Sequence, residues 1–130
     1  MKKIILDTNF LMIPLKFRVD IFSELNRICH FNYKLFVYGQ SISELENIIK
    51  KSPGKDKKSA EFALKLIKLK NISIIESQQK DVDSLILDNS DNATVVATQD
   101  IQLKKELLKR GISVIILRQK KYLEFVKNHN

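Results

Sequence analysis

With 130 residues the chain can bury one core without disulfide or metal staples, and residues 1–130 are read as a single domain. It is 44% hydrophobic and 29% charged, Cys29 is its only cysteine, and no apolar run nears the ~20 residues of a membrane helix; this excludes a disulfide scaffold and a helical membrane protein. A formal charge of +8 points instead to a polyanionic partner.

In chain order, Lys3-Ile4-Ile5-Leu6 is a short apolar run, the mark of a strand buried on both faces. Asp7 ends it too soon for a secretory leader, so a cytoplasmic location is expected. Asp20 is a ready N-cap for a helix with Ile21, Phe22, Leu25, Ile28 and Cys29 on one face. Cys29 reads there as a small buried apolar residue. Residues 34–38 predict a second strand, and residues 41–50 a helix with Ile42, Leu45, Ile48 and Ile49 on one side. Ser52-Pro53-Gly54-Lys55 is the clearest loop. Ala60, Ala63, Leu64 and Ile67 mark another helix, and residues 72–75 a third strand. Residues 81–88 predict a helix carrying Val82, Leu85 and Ile86, cut short by Asp88-Asn89-Ser90-Asp91-Asn92. Residues 93–97 form a fourth strand, residues 101–110 a helix stopped by Gly111, residues 113–117 a fifth strand, and residues 120–126 a closing helix. Alternating strands and helices predict a three-layer α/β/α sandwich around a parallel five-stranded sheet. Ligands of such sheets bind beyond the carboxyl ends of the strands, near a switch in strand order.

That rule singles out three carboxylates, and a fourth, Asp83, joins them if its helix starts over the same edge. Asp7 follows the first strand, Glu44 lies in the first turn of the helix after the second, and Asp100 follows the fourth. Asp83 lies in the first turn of the helix before the fourth strand. Taken alone, most have an ordinary explanation. Ser41 and Glu44 fit a capping box, Asp100 an N-cap, and Asp81 and Asp83 the positive end of their helix. Asp7 is different, because a lone carboxylate at the end of a buried strand is costly. Together, four close carboxylates repel one another and raise one another's pKa. Mg²⁺ or Mn²⁺, hard cations that take oxygen ligands, relieve that repulsion. Asn9, Thr98 and Ser43 are placed to orient the acids. His30 and His129 are far apart in sequence, so no zinc set competes.

The positive charge is uneven. Residues 50–70 and residues 101–130 each carry a net +6, leaving −4 for the rest. Basic stretches around an acidic remainder suit a polyanion held beside a cation, although a Lys-rich solvated surface gives the same count. Lys55, Lys57, Lys58, Lys104, Lys105, Arg110, Arg118 and Lys120 are the candidate phosphate contacts. Tyr33, Tyr38 and Tyr122 either stack on bases or pack.

Four segments now stand in order: Ile4-Ile5-Leu6-Asp7-Thr8-Asn9-Phe10-Leu11, Ser43-Glu44-Leu45, Val82-Asp83-Ser84-Leu85-Ile86 and Val96-Ala97-Thr98-Gln99-Asp100. In order and spacing they resemble the PIN-domain nucleases over nearly the whole chain. The resemblance implies a parallel five-stranded sheet between helices and Mg²⁺- or Mn²⁺-dependent endoribonuclease activity. It gives Asp7, Glu44, Asp83 and Asp100 the metal-binding and catalytic roles, with Asn9 and Thr98 supporting. Ser84 stands where the family often has a second Asp, and Asp81 is its candidate substitute. The ending Leu103-Lys104-Lys105-Glu106-Leu107, Arg110-Gly111-Ile112 and Val114-Ile115-Ile116-Leu117-Arg118 is similar to archaeal relatives of the eukaryotic PIN nuclease that cleaves ribosomal RNA precursors. A ribosomal precursor is therefore the expected RNA. The alternatives are a VapC-type toxin ribonuclease with an antitoxin partner, and a non-catalytic RNA-binding module of ribosome assembly. Self-association as a homodimer stays open. Asn9 stands where an Asp-x-Asp phosphatase needs its second acid, and neither Gly-x-Gly-x-x-Gly nor a P-loop is present.

Overall fold

The computed structural model describes residues 1–78 and 81–127, so His129 lies outside the described residues. In chain order the elements are β1 (Lys2–Leu6), α1 (Thr8–Leu11), α2 (Ile13–Phe17), α3 (Ile21–Ile28), β2 (Tyr33–Tyr38), α4 (Gly39–Lys51), α5 (Gly54–Leu69), β3 (Ser73–Ile75), α6 (Val82–Asn89), β4 (Thr94–Ala97), α7 (Ile101–Lys109), β5 (Ser113–Arg118) and β6 (Tyr122–Val126). The strands form one sheet in the order β3-β2-β1-β4-β5-β6. β1 to β5 run parallel, and β6 is antiparallel to β5. The three layers are those expected, but the sheet gains a sixth, antiparallel strand.

Neighbouring residues of β1 face opposite cores, which is why its sequence is apolar without alternation. Ile4 and Leu6 pack with Phe10, Ile13, Leu25, Leu45 and Ala63 from the α1–α5 layer. Ile5 packs with Leu85, Ile86, Leu103 and Leu107 from α6 and α7. Each such side chain contributes about 1.5–3 kcal/mol. The order of strands reverses between β1 and β4, so the two strands' exits border the crevice where open α/β sheets bind ligands.

Residues 120–126 were expected to be helical, and the structure corrects this: they hold β6. Gln119 and Lys120 both adopt left-handed backbone, with φ of 52° and 56°, and the Lys121 N–H donates to the Arg118 carbonyl at 2.9 Å. This turn matches the twist of the strands it joins. Neither residue is the Asn or Gly that usually announces it. The segment from 8 to 17, which shows no clear periodicity, forms α1 and α2, with Pro14 in the first turn of α2.

As an edge strand, β6 has backbone groups that β5 does not reach. The Leu123 N–H donates to Glu24 Oε1 at 2.8 Å, and Arg27 donates to the Leu123 carbonyl at 3.0 Å. Glu24 and Arg27 are also paired at 2.8 Å, so one ion pair on α3 covers this stretch of edge. We expect Glu24→Ala to cost about 1–2 kcal/mol in urea denaturation and to speed hydrogen exchange at the Leu123 amide. Unchanged exchange there would show that the pair protects nothing.

Candidate functional site

Strand register builds the site. Leu6 is paired with Ala97, and the Asp7 N–H donates to the Ala97 carbonyl at 2.9 Å. Asp7 and Thr98 therefore leave the sheet side by side. Asp7 is only 4% exposed. Its Oδ1 accepts the Thr8 N–H at 2.9 Å, which caps α1, and its Oδ2 accepts the Thr98 hydroxyl at 2.6 Å. The Thr98 oxygen in turn accepts the Asp100 N–H at 3.0 Å. One side chain thus ties two acids. Asp100 caps α7 by accepting the Leu103 N–H at 3.1 Å.

Glu44 does not close a capping box. The helix starts at Gly39, two residues before the expected Ser41, so Ser41 lies inside it and is fully buried. The Thr8 hydroxyl sits 2.5 Å from Glu44 Oε1 and 2.7 Å from Ser41 Oγ. An ionised carboxylate only accepts, so Thr8 gives its one proton to Glu44 and Ser41 donates to Thr8. In sequence Ser41 reads only as a helix cap and Thr8 only as a neighbour of Asp7, so their hold on Glu44 is not foreseen. Their only signals are adjacency to Asp7 and a position one turn before Glu44, and neither has meaning until the exits of β1 and β2 are adjacent. Ser43, expected to orient the acids, is exposed. Gly39 serves the start of α4: a Cβ there would lie 2.9 Å from Glu76 Oε2. Without that Cβ, the Glu76 carboxylate settles at the positive end of the helix.

Asp83 is exposed in the first turn of α6. Asp81 is the N-cap, accepting the Ser84 N–H at 2.8 Å. Asn9 is also among the residues expected to orient the acids, and its hydrogen bonds go to Gln99. Its Oδ1 accepts the Gln99 N–H at 3.3 Å, and its carbonyl accepts from Gln99 Nε2 at 3.1 Å, so it clasps the exit of β4 to that of β1.

The acids lie within one another's field. Burial pushes the Asp7 carboxyl up from 3.8 to about 6, against its two hydrogen bonds and with help from the charges of Asp83 and Glu44. Desolvation, then the charges of Asp100, Asp81 and Glu44, push the Asp83 carboxyl up. Asp7, Glu44, Asp83 and Asp100 thus share one crevice. The donor set is all oxygen, which suits a hard cation. Among the described residues no three acidic, His or Cys side chains form a ready-made metal cage. An ion there would keep waters in part of its shell, as Mg²⁺ does.

The expected basic residues divide. Lys104 borders the same hollow as Thr98, Gln99 and Asp100, and Lys105 borders one beside Asp83. Arg118 reaches the Lys104 hollow but pairs with Glu124 at 3.1 Å. Arg110 donates to the Leu87 carbonyl at 3.1 Å, tying α7 to α6. Lys55 and Lys58 line a groove with Leu15 and Arg18, Lys57 is exposed on α5, and Lys120 lies 6.0 Å from the Phe17 ring centre. Tyr38 is packed, 4% exposed, with its hydroxyl on the Leu85 carbonyl. No helix among the described residues is long and apolar enough to cross a membrane.

The sequence pattern of a family described as a PIN like domain matches residues 4–120, and the chain belongs to that family. It is 32% identical to ribonuclease VapC4 of Methanocaldococcus jannaschii over 126 residues, covering 95% of this chain and 96% of that one. It is 31% identical to ribonuclease VapC9 of Archaeoglobus fulgidus, covering 90% of this chain and 84% of that one. Among solved structures, the PIN domain endonuclease Utp24 superposes with a TM-score of 0.77 at 22% identity, over 97% of this chain and 93% of that one. A domain of a functionally unknown Methanocaldococcus jannaschii protein superposes with a TM-score of 0.63 at 15% identity, over 91% of this chain and 92% of that one. The two superpositions establish the fold.

The raised pKa of Asp7 makes a stability prediction. Above pH about 6 the ionised, buried carboxyl destabilises the native state. Below pH about 4 both folded and unfolded chains hold the proton and the effect is gone. Asp7→Asn should therefore raise the melting temperature at pH 8, by an amount equivalent to at most about 3 kcal/mol, and leave it unchanged at pH 4. A variant less stable than the parent at pH 8 would contradict the buried charge.

Proposed function

We propose that the chain is a divalent-metal-dependent endoribonuclease of the VapC toxin type, with an antitoxin as its protein partner. The observation that carries the reaction class is the convergence of Asp7, Glu44, Asp83 and Asp100 on the crevice between β1 and β4, with Asp7 buried and its pKa raised. The toxin assignment is supported by the two VapC ribonucleases, matched at 32% and 31% identity over 95% and 90% of the chain.

In this reading the four acids hold Mg²⁺ or Mn²⁺. When bound, such an ion supplies Lewis acidity toward a phosphodiester and activation of water for hydrolysis. The chain's own residues do the rest. Asp7 is the central ligand, and Thr98 fixes its orientation while bringing Asp100 beside it. Thr8 and Ser41 hold Glu44 toward the same centre. Asp81 starts the helix that presents Asp83. Lys104 and Lys105, nearest the acids, take phosphates of the RNA, while Arg110 serves the fold.

Processing of ribosomal RNA precursors is the second reading. It rests on the sequence resemblance of residues 103–118, whereas the relatives matched over nearly the whole chain are VapC ribonucleases. Expression in a host with and without the neighbouring antitoxin gene, followed by mapping of cleaved RNA ends, separates the two. Growth arrest relieved by the antitoxin supports the toxin; ends confined to the ribosomal precursor, without toxicity, support processing.

EDTA should abolish cleavage and Mn²⁺ restore it. Asp7→Asn and Asp100→Asn should each lower the rate at least about 100-fold. RNA binding that persists with no Mn²⁺-dependent cleavage by the parent chain would leave only a non-catalytic binding module. Ser41→Ala should lower kcat about 10- to 100-fold at nearly constant KM, with Ser41→Thr recovering most of it. A change in KM alone would remove Ser41 from the positioning of Glu44.

A further inference from the structure

The α6–α7 face of the sheet carries a feature that the acid crevice does not use. On β2, Lys34, Phe36 and Tyr38 alternate toward this face, and Phe36 is half-buried. A hollow lined by Lys3, Ile5, Tyr38, Ile75, Asn89 and Ser90 lies between the β1–β3 side of the sheet and the end of α6. Lys3 and Lys34 are direct partners in the β1–β2 register. Like charges placed opposite one another weaken a sheet. Among the described residues neither ammonium group is in an ion pair. Both lie over the Phe36 ring, 5.4 and 5.6 Å from its centre. Asp91 lies within the field of Lys3, and its Oδ1 accepts both the Ala93 N–H and the Thr94 hydroxyl.

We propose that Lys3, Lys34 and Phe36 form a binding site for single-stranded RNA flanking the cleaved bond, the lysines swinging off the ring to take phosphates and so freeing its outer face for a base. The proposal rests on the ribonuclease reading and extends it to a second contact surface. Cationic side chains beside an aromatic face are the two parts that sequence-independent single-strand binding uses. Continuity with the acids favours RNA over an acidic protein segment. β1 runs from Lys3 into Asp7, and β2 runs from Lys34 through Tyr38 into the helix that carries Glu44. Four strand residues span about 13 Å, so RNA lying along the hollow is led to the crevice by the same two strands. Glu76, at the far end of the hollow, has its charge offset by the start of α4.

The test is fluorescence anisotropy of the full chain with a labelled oligouridine of about 16 nucleotides, in EDTA and across a salt series. Lys3→Gln/Lys34→Gln should bind at least tenfold more weakly, and its log affinity should fall less steeply with log salt, the slope smaller by about 1.4, or two phosphates. Its melting temperature should equal or exceed the parent's, because a repulsion is removed. The matched control is Lys2→Gln/Lys127→Gln, which removes two lysines lying over Phe31 and Phe125 of the opposite core; it should keep the parent affinity and slope. Phe36→Leu should weaken binding without altering the salt slope. A Lys3→Gln/Lys34→Gln variant with the control's affinity and slope would overturn the proposal. So would equal competition by a glutamate-rich peptide, which would assign the site to acidic protein. Mn²⁺-dependent cleavage of a long structured RNA by the parent, at saturating RNA, reports on the acid centre separately. Its absence would sink the ribonuclease reading, whereas its presence with an unaffected double variant would sink only this site.

Discussion

Burial of the Asp7 carboxyl at the end of the central strand sets the terms for everything around it. A carboxylate withdrawn from water favours its neutral form, and here two donors only partly offset that preference. Those donors come from the strand register. With Leu6 opposite Ala97, the next residue of β4, Thr98, stands beside Asp7 and can bond to it. A slip of one residue would send every side chain of the strand to the opposite face and leave Asp7 without Thr98. The same hydroxyl receives the Asp100 amide, so the pairing of two strands also fixes the start of α7. On the other side, Thr8 joins the exit of β1 to α4 through Ser41 and Glu44. Two threonines therefore connect three of the four acids to the sheet, and Asp83 joins them through its field.

What could be read from the sequence follows from how local each signal is. The parallel strands and the long helices announce themselves by apolar runs and helical spacing, and the switch in strand order directed attention to Asp7, Glu44, Asp83 and Asp100. β6 went unread because its turn uses Gln119 and Lys120 in left-handed backbone, where sequence gives no warning. The alternation in Tyr122-Leu123-Glu124-Phe125-Val126 was visible, but so was a loose helical pattern. α1 and α2 depend on the Asp7 cap and on tertiary packing of Phe10 and Ile13, both fully buried. Within the site, Asn9 is expected to support the acids because it matches a position of the family motif, yet it bonds across to Gln99, ninety positions away. Thr8 and Ser41 act through each other over a separation of 33 residues, a relation that no single-chain pattern displays.

The charge distribution also gains meaning from the fold. The excess of lysine does not form one uniform field. Lys104 and Lys105 border the acids, Arg110 and Arg118 are engaged by Leu87 and Glu124 of the same chain, and Lys55 and Lys58 belong to a separate groove. An acidic centre bordered by a few cations suits the proposed function, in which RNA phosphates lie beside a divalent ion. That arrangement accords with membership of the PIN-like family and with its VapC ribonuclease relatives.

The central claim is that the four acids form a cation centre built on Asp7. Calorimetric titration of the parent chain with Mn²⁺, between pH 5 and pH 7.5 and in buffers of different ionisation heat, tests it most directly. Saturable binding is expected, releasing a proton below pH about 6, as the raised pKa of Asp7 requires, and weakening as pH falls. Saturable binding that releases no proton at pH 5, or no binding heat at pH 7.5, would contradict it.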